Sequence, residues 1–203
     1  MQDYEIIRKF TSRKNEVFLI KREGKLSVMK KFASYDSAKN EWVFLSALNG
    51  RFNAPEPIAI DGNVLIMAYV PGALVHDLLN AKTLKMLASW MANLHMYGIS
   101  KGDCTLRNFI ISKQGICGID WEEADTSEKF KKDLSEICGN IIMLTDDFKL
   151  CCLFLNHYSA ASHSANIDIK DELVLFLKSR ITFRPDMADK VNSLASRAVT
   201  FSC

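Results

Sequence analysis

The stretch that decides the fold is "GISKGDCTLRNFIISKQGICGIDWEEAD", Gly98–Asp125. It places Asp103 and Asn108 five residues apart in a polar loop, which the apolar run "NFIIS" follows directly. A turn at Lys113–Gly115 separates that run from "GICGID", so the pattern predicts two short strands. Asp120 ends the second strand. Turn capping or chemistry would each explain Asp103 and Asn108, and the rest of the chain has to decide between them.

The chain before this loop is rich in predicted strands. "EVFLIKREGKLSVMKKF" (Glu16–Phe32) contains two extended runs that join at Gly24, which predicts a hairpin. Alternation along the second strand puts Lys30 on the same face as Val28. "APEPIAIDGNVLIMAYVPG" (Ala54–Gly72) predicts two further strands across a turn.

Apolar periodicity predicts the helices. "SYDSAKNEWVFLSALNG" (Ser34–Gly50) places Glu41 on the apolar stripe, where an acid needs a partner. "AKTLKMLASWMANLHMYG" (Ala81–Gly98) repeats the same spacing and ends at a glycine. From Asp133 onward the pattern predicts three or four helices, one of which starts at Pro185.

Length and composition indicate one α+β domain with two halves. A chain of 203 residues, 48% of them hydrophobic, is long enough for one sizeable core or a domain of two lobes. We expect a strand-rich half over residues 1–70 and a mostly helical half over residues 71–203, with the boundary near Val70–Ala73. A cleft between the halves would be a natural ligand site.

Charge and residue usage exclude several classes. The net charge is +2, with 26 basic and 24 acidic residues that are not clustered, so we expect no nucleic-acid partner. The six cysteines form no CxxC pair and the four histidines show no metal-ligand spacing, which favours reduced thiols. The sequence shows neither a signal-peptide pattern nor a membrane span. We therefore expect a soluble, cytoplasmic protein, of an oligomeric state that the sequence does not indicate.

Four separate stretches fit phosphoryl transfer from ATP, which needs held phosphates, bound magnesium and an oriented acceptor hydroxyl. Asp103 is placed to be the base, and Asn108 and Asp120 offer the oxygen ligands that magnesium prefers. Lys30 would reach the phosphates and pair with Glu41. Each residue alone also has a bland explanation, as a turn cap, a solvated lysine or an exposed glutamate. Their order along the chain favours chemistry.

This order resembles the protein-kinase-like superfamily, in its aminoglycoside-phosphotransferase and small-kinase branch. Gly98–Asp125 resembles the catalytic segment, "LIMAYVPGALVHDLL" (Leu65–Leu79) the hinge, and "EKFKKDLSEI" (Glu128–Ile137) the later stretch whose aspartate braces the catalytic loop. The resemblance runs from about Phe10 to Ile137. Within the branch it is most similar to lipopolysaccharide core heptose kinases, and small kinases of the Bud32 and RIO kind are also similar.

The resemblance implies a two-lobed α+β protein-kinase-like fold, with a small strand-rich N-lobe and a truncated helical C-lobe, that uses ATP and Mg²⁺. It repeats the roles given above for the base, the magnesium ligands and the lysine–glutamate pair, and it makes Asp133 structural. It also implies residues that would flank the nucleotide or line the adenine pocket: Val28, Met67, Ala68, Tyr69 and Val70.

Several positions depart from the family pattern. Lys101 stands where a histidine usually braces the loop, and Ala68 replaces the hinge acid. The phosphate loop "FTSRKNEVFLI" has no glycine, so the residues from Ser12 to Asn15 would offer backbone N–H and hydroxyl donors instead. Lys31 is an alternative to its neighbour as the phosphate lysine.

Taken together, these features predict an ATP- and magnesium-dependent phosphotransferase that acts on a hydroxyl of a small-molecule or sugar/glycan acceptor. Only thirteen positions separate Asp120 from Asp133, which leaves little room for a regulated activation loop. Two alternatives stay open. One is a small atypical Ser/Thr protein kinase or ATPase of Bud32/RIO type, with a protein acceptor. The other is a nucleotide-binding pseudokinase module, which the glycine-free loop and Lys101 would suit.

Overall fold

A computed structural model describes residues 4–164, 167–201 and 203. Within these residues the strands are β1 (Glu5–Phe10), β2 (Glu16–Arg22), β3 (Lys25–Lys31), β4 (Pro57–Asp61), β5 (Val64–Ala68), β6 (Ala73–Leu74), β7 (Phe109–Ser112) and β8 (Gly115–Gly118). The α-helices are α1 (Tyr35–Leu48), α2 (Ala81–Met96), α3 (Phe130–Thr145), α4 (Phe148–Ser162), α5 (Lys170–Phe183) and α6 (Ala188–Val199).

The chain forms two compact units. The first comprises the chain up to Ala73 together with Ile110–Ala124, and the second comprises Leu74–Phe109 with Asp125–Cys203. The segment that ends in Asp120 therefore belongs with the strand-rich unit, although it follows the long helix α2 in sequence.

The first unit is built on a five-stranded sheet of order β1-β2-β3-β5-β4. The predicted hairpin joins β2 to β3 through Glu23 and Gly24, whose φ angles are +49° and +77°. Lys30 of β3 faces Val17 of β2 on one side and Leu65 of β5 on the other. This register fixes the backbone of Lys30 in the middle of the sheet.

Helix α1 packs against β4 and β5 of the same unit. Ser34 caps it, because its hydroxyl oxygen accepts a hydrogen bond from the Ser37 N–H at 3.2 Å. The predicted stripe is confirmed, since its four members are all buried: Ala38, Glu41, Leu45 and Leu48. Glu41 is only 1% exposed, so the helix carries a carboxyl group into the unit's interior.

Strand β1 was not predicted. It lies at the edge of the sheet, and five of its six residues are exposed. Ile6 and Ile7 are 53% and 46% exposed, so neither face of the strand is buried enough to impose a period of two on the sequence.

The second unit is mostly helical. Helix α2 packs against α4, and α5 packs against both α3 and α6. Gly139 of α3 makes room for Phe176 of α5, because a Cβ atom at position 139 would lie 2.2 Å from the phenyl ring. The predicted start at Pro185 is a 3₁₀ turn, Pro185–Met187, and α6 begins at Ala188. Among the described helices, none is long and apolar enough to cross a membrane.

Candidate active site

Lys30 is the centre of a buried ionic cluster in the first unit. Its Nζ lies 2.7 Å from Glu41 Oε2, 2.6 Å from Asp120 Oδ1 and 3.7 Å from Glu122 Oε2. The Lys30 side chain is 7% exposed, whereas that of Lys31 is 55% exposed. Strand alternation therefore gives the two neighbouring lysines opposite environments, and only Lys30 meets Glu41 and Asp120.

The carboxylates keep Lys30 charged. Burial by itself lowers the pKa of the ammonium, but the negative charges of Glu41 and Asp120 outweigh burial and hold the pKa above its ordinary value. A buried ion pair of this kind is costly to break, because either partner alone would be an uncompensated charge.

Asp120 follows β8 in a strained conformation. Its φ is +62°, in the left-handed region that non-glycine residues seldom occupy. The segment after it is held to α1, because the Asn40 side chain donates to the carbonyl oxygens of Glu122 at 2.9 Å and Ala124 at 3.0 Å. The Asp120 side chain is 33% exposed, so its carboxylate meets both Lys30 and solvent.

Three carboxyl groups converge around this lysine. Oxygen atoms of Glu41, Asp120 and Glu122 lie within 4.8 Å of one another. Hard oxygen donors of this type suit magnesium, which takes one or two carboxylates together with substrate phosphates. Asp120, the most accessible of the three carboxylates, therefore fits the predicted Mg²⁺ as a ligand.

The glycine-free phosphate loop is tied to the segment after Asp120. The Ser12 hydroxyl accepts from the Asn15 N–H at 3.4 Å, and the Asn15 side chain donates to Glu122 Oε2 at 2.8 Å. Lys14 lies 2.7 Å from Glu123 and 3.6 Å from Glu122. No local sequence pattern links these glutamates to the loop, because Asn15 and Glu122 lie 107 positions apart.

Three of the five residues predicted to surround adenine are neighbours in the sheet. Val28 of β3 pairs with Met67 of β5, and Ala68 ends β5 directly before Tyr69 and Val70. The Ala68 N–H donates to the Glu56 carbonyl at 2.8 Å. A hydrogen bond from that N–H to adenine would require this contact to open. The Ala68 carbonyl oxygen is therefore the better candidate for a contact with adenine, in which it would accept a hydrogen bond.

The second unit contains the loop of Asp103 and Asn108. Asp103 Oδ1 accepts from the Thr105 N–H at 3.1 Å and from the Thr105 hydroxyl at 2.5 Å. The Asn108 amide nitrogen lies 3.4 Å from the Asp103 carbonyl oxygen. Burial raises the pKa of the Asp103 carboxyl, but the Thr105 hydrogen bonds, the Lys101 charge and Asn108 outweigh burial and leave it below its ordinary value. Asp103 is therefore an ionised acceptor at neutral pH.

Asp133 braces this loop, as the resemblance implied. Its Oδ2 accepts from the Lys101 N–H at 2.6 Å, and its Oδ1 accepts from the Gly102 N–H at 3.1 Å. Two residues from other helices extend the brace: His95 Nε2 lies 3.2 Å from Asp133 Oδ2, and His95 Nδ1 lies 2.7 Å from the Tyr158 hydroxyl. His95 lies in the last turn of α2. Its partners lie 38 and 63 residues away, so the sequence carries no signal of them.

Glu136 supports the same loop from α3. Its Oε2 accepts from the Cys104 N–H at 2.9 Å. Burial raises the pKa of Glu136 to about 7, and the nearby charges of Asp103 and Asp133 add to that effect while Lys132 opposes it. Glu136 is thus a second carboxyl group next to Asp103, with a different proton affinity.

The chain matches a family profile and a solved structure. The profile of the RIO domain family matches residues 4–142. That span is more than half of the chain, so the protein belongs to the RIO domain family. A solved structure of the Cydia pomonella granulovirus kinase PK-1 is similar with a TM-score of 0.52 and 21% identity, over 60% of this chain and 54% of the viral chain. The chain thus matches about half the length of that kinase. A search of curated proteins found no match.

These findings confirm the predicted class. The chain is a member of the protein-kinase-like superfamily, with the α+β fold expected from the sequence. The family match favours the Bud32/RIO alternative over the sugar or small-molecule phosphotransferase that the sequence suggested first.

Proposed function

We propose that the protein is an ATP- and magnesium-dependent atypical kinase of RIO type, which transfers the γ-phosphoryl group of ATP to a Ser or Thr hydroxyl of a protein or to water. The observation that carries the proposal is the position of Lys30 between Glu41 and Asp120, at 2.7 and 2.6 Å, within the span that the RIO profile matches. A lysine held by one structural acid and one exposed acid is prepared to bind a phosphate beside a metal.

Each unit contributes its own part of the chemistry. Lys30 binds the nucleotide phosphates while Glu41 fixes its ammonium. Asp120 and Asn108 are the residues that would be ligands of magnesium, and the metal would neutralise charge on the phosphates. Asp103 accepts a hydrogen bond from the acceptor hydroxyl and then its proton, which requires an ionised carboxylate. The hydrogen bonds from Thr105 support that ionised state.

The remaining predicted residues would bind the nucleoside and the outer phosphates. We propose that Val28 and Met67 contact the adenine ring and that the Ala68 carbonyl and the Tyr69 and Val70 backbone meet its edge. The segment from Ser12 to Asn15 would cover the phosphates. In this segment the donors are side-chain groups and backbone N–H groups, since glycine is absent.

A small-molecule or glycan acceptor remains a second candidate, because one feature favours it. Thirteen positions from Asp120 to Asp133 are short for a segment that binds and regulates a protein substrate. Three parallel reactions distinguish the acceptors. Each contains the purified protein and γ-labelled ATP, with a candidate protein, a sugar or only buffer added. Label on protein or release of inorganic phosphate supports the RIO-type proposal, and label on a sugar alone supports the second candidate.

We also propose a cytoplasmic location, which suits six cysteines that are all free thiols.

Two adjacent lysines test the nucleotide site. Lys30→Met should weaken Mg-ATP binding by about 10- to 100-fold, because a charge-assisted contact to phosphate contributes about 1.5–3 kcal/mol. Lys31→Met is the matched control and should bind as the wild type does, since Lys31 is exposed on the opposite face. Isothermal titration with Mg-ATP measures both.

Lys30→Met also leaves the buried Glu41 without its cation, which destabilises the fold. The double variant Lys30→Met/Glu41→Gln should recover stability without recovering affinity for Mg-ATP. Equal affinities of the Lys30 and Lys31 variants would refute the site. Tight Mg-ATP binding by a wild-type protein that transfers no phosphate would identify the pseudokinase alternative.

A further inference from the structure

Lys101 is the residue of the catalytic loop that the family pattern does not explain. It stands two positions before Asp103, where the resemblance expects a histidine. Its side chain is completely buried, with 0% exposure. Lysine is almost never fully buried unless its ammonium is paired, so the structure must supply partners for it.

Lys101 makes one hydrogen bond within the loop and another to α3. Lys101 Nζ donates to the backbone carbonyl oxygen of Asp103 at 3.3 Å. The Lys101 N–H donates to Asp133 Oδ2 at 2.6 Å. Lys101 is therefore bonded at both ends: its backbone is fixed to α3 and its side chain is fixed to the residue that carries the proposed base.

Acidic side chains contact the loop that carries Lys101. Three acidic side chains approach the same loop, those of Asp103, Asp133 and Glu136. Lys132 reaches Glu136 only at 3.9 Å, from a side chain that is 50% exposed. Lys101 is thus a buried lysine in a loop that Asp133 and Glu136 contact through its backbone N–H groups, and its positive charge helps to lower the pKa of the Asp103 carboxyl.

We propose that Lys101 is a positioning residue for phosphoryl transfer: its buried ammonium holds the Asp103 backbone carbonyl and so fixes the direction of the Asp103 carboxylate. The proposal rests on the proposed function. It assigns to a lysine of this chain the task that a histidine ring has in the family pattern. The carbonyl bond is made by the side chain, so the position of Asp103 depends on residue 101 as well as on Asp133.

The experiment measures Mg-ATP turnover and Mg-ATP affinity separately in the full chain. Lys101→Met keeps the length and apolar stem of the side chain but removes the ammonium. We expect kcat to fall about 10- to 100-fold, since a displacement of about 1 Å at a reacting group has effects of that size. The Kd for Mg-ATP should stay within about twofold of the wild type, because Lys30 and Asp120 are unchanged. Lys101→His restores a ring N–H donor and should recover most of the lost kcat.

Two controls separate positioning from stability. Lys85→Met removes an exposed lysine of α2 in the same unit and should leave kcat unchanged. Val191→Ala makes a cavity under α6, away from the loop, and should lower Tm without lowering kcat. If Lys101→Met does not fold, Lys101→Gln replaces it, with a smaller loss of kcat expected. A merely structural Lys101 would change Tm as Val191→Ala does and leave kcat unaffected.

The outcomes distinguish the proposal from the function on which it rests. Wild-type kcat in both Lys101→Met and Lys101→Gln overturns the positioning role while the kinase function stands. A loss of kcat that Lys101→His does not recover at all also overturns it. A wild-type protein that turns over no Mg-ATP refutes the proposed function and the role of Lys101 with it.

Discussion

Glu136 connects the chemistry of single residues to stability. The folded-state pKa of about 7 lies above the ordinary value of 4.5, so between these values the folded protein binds a proton that the unfolded chain releases. Glu136 therefore opposes folding increasingly as pH rises from about 4.5 to 7, and fully above pH 7. Glu136→Gln keeps an oxygen acceptor for the Cys104 N–H and removes the charge.

We expect Glu136→Gln to stabilise the protein by about 1–3 kcal/mol at pH 8 and to have almost no effect near pH 4.5. The side chain is only 15% exposed, so solvent screens little of this effect. Thermal unfolding at several pH values measures it, with the exposed Glu128→Gln as the control. A stabilisation that does not change with pH would show that Glu136 does not titrate as described.

Single residues could be predicted from the sequence where the period of a strand or helix places a side chain on one face. Strand alternation favoured Lys30 over Lys31, and helical periodicity placed Glu41 on the buried stripe. The structure puts both in one ion pair at 2.7 Å. Glu136 could not be predicted in this way, because its partner is the backbone N–H of Cys104, which lies 32 positions earlier in the chain.

The phosphate loop is held by contacts with a segment that is distant in sequence. Asn15 and Lys14 are donors that a nucleotide phosphate would use, and both are already held by Glu122 and Glu123. A phosphate would have to displace these carboxylates and would be repelled by them. The same tie gives a loop without glycine a fixed shape.

We therefore expect Glu122→Gln to tighten nucleotide binding, by about 3- to 10-fold for ATP, less for ADP and not measurably for AMP. The amide still accepts the Asn15 hydrogen bond but lacks the negative charge. Titration with the three nucleotides in magnesium measures the series, and Glu23→Gln, an exposed glutamate of the β2–β3 turn, is the control. Weaker ATP binding by Glu122→Gln would instead make Glu122 a magnesium ligand.

Element by element, the predictions held where one face is buried. The β2–β3 hairpin, the stripe of α1 and the helix α2 followed from periods of two and 3.6. Strand β1 was not predicted, because both its faces are exposed. The hydrogen bond between Asn15 and Glu122 was not predicted, because only folding brings the two segments together.

On the scale of the whole molecule, the class of protein followed from the order of weak motifs along the chain. A lysine strand, a glutamate helix, an Asp103–Asn108 loop and a strand that ends at Asp120 predicted a kinase-like fold, and the RIO profile over residues 4–142 confirms that class. The branch was predicted less well. Sugar kinases and RIO kinases share these motifs, and the acceptor is bound by surfaces that have no common sequence pattern.

We propose that this protein transfers the γ-phosphoryl group of ATP with Asp103 as the base. Single-turnover transfer from labelled Mg-ATP, compared between wild type and Asp103→Asn, tests it most directly. We expect transfer by the wild type and a rate lower by about 10²- to 10⁴-fold in the variant, because general-base catalysis contributes effects of this size. The Mg-ATP affinity of the variant should stay within about twofold of the wild type. An Asp103→Asn variant that transfers phosphate at the wild-type rate would show that Asp103 is not the base.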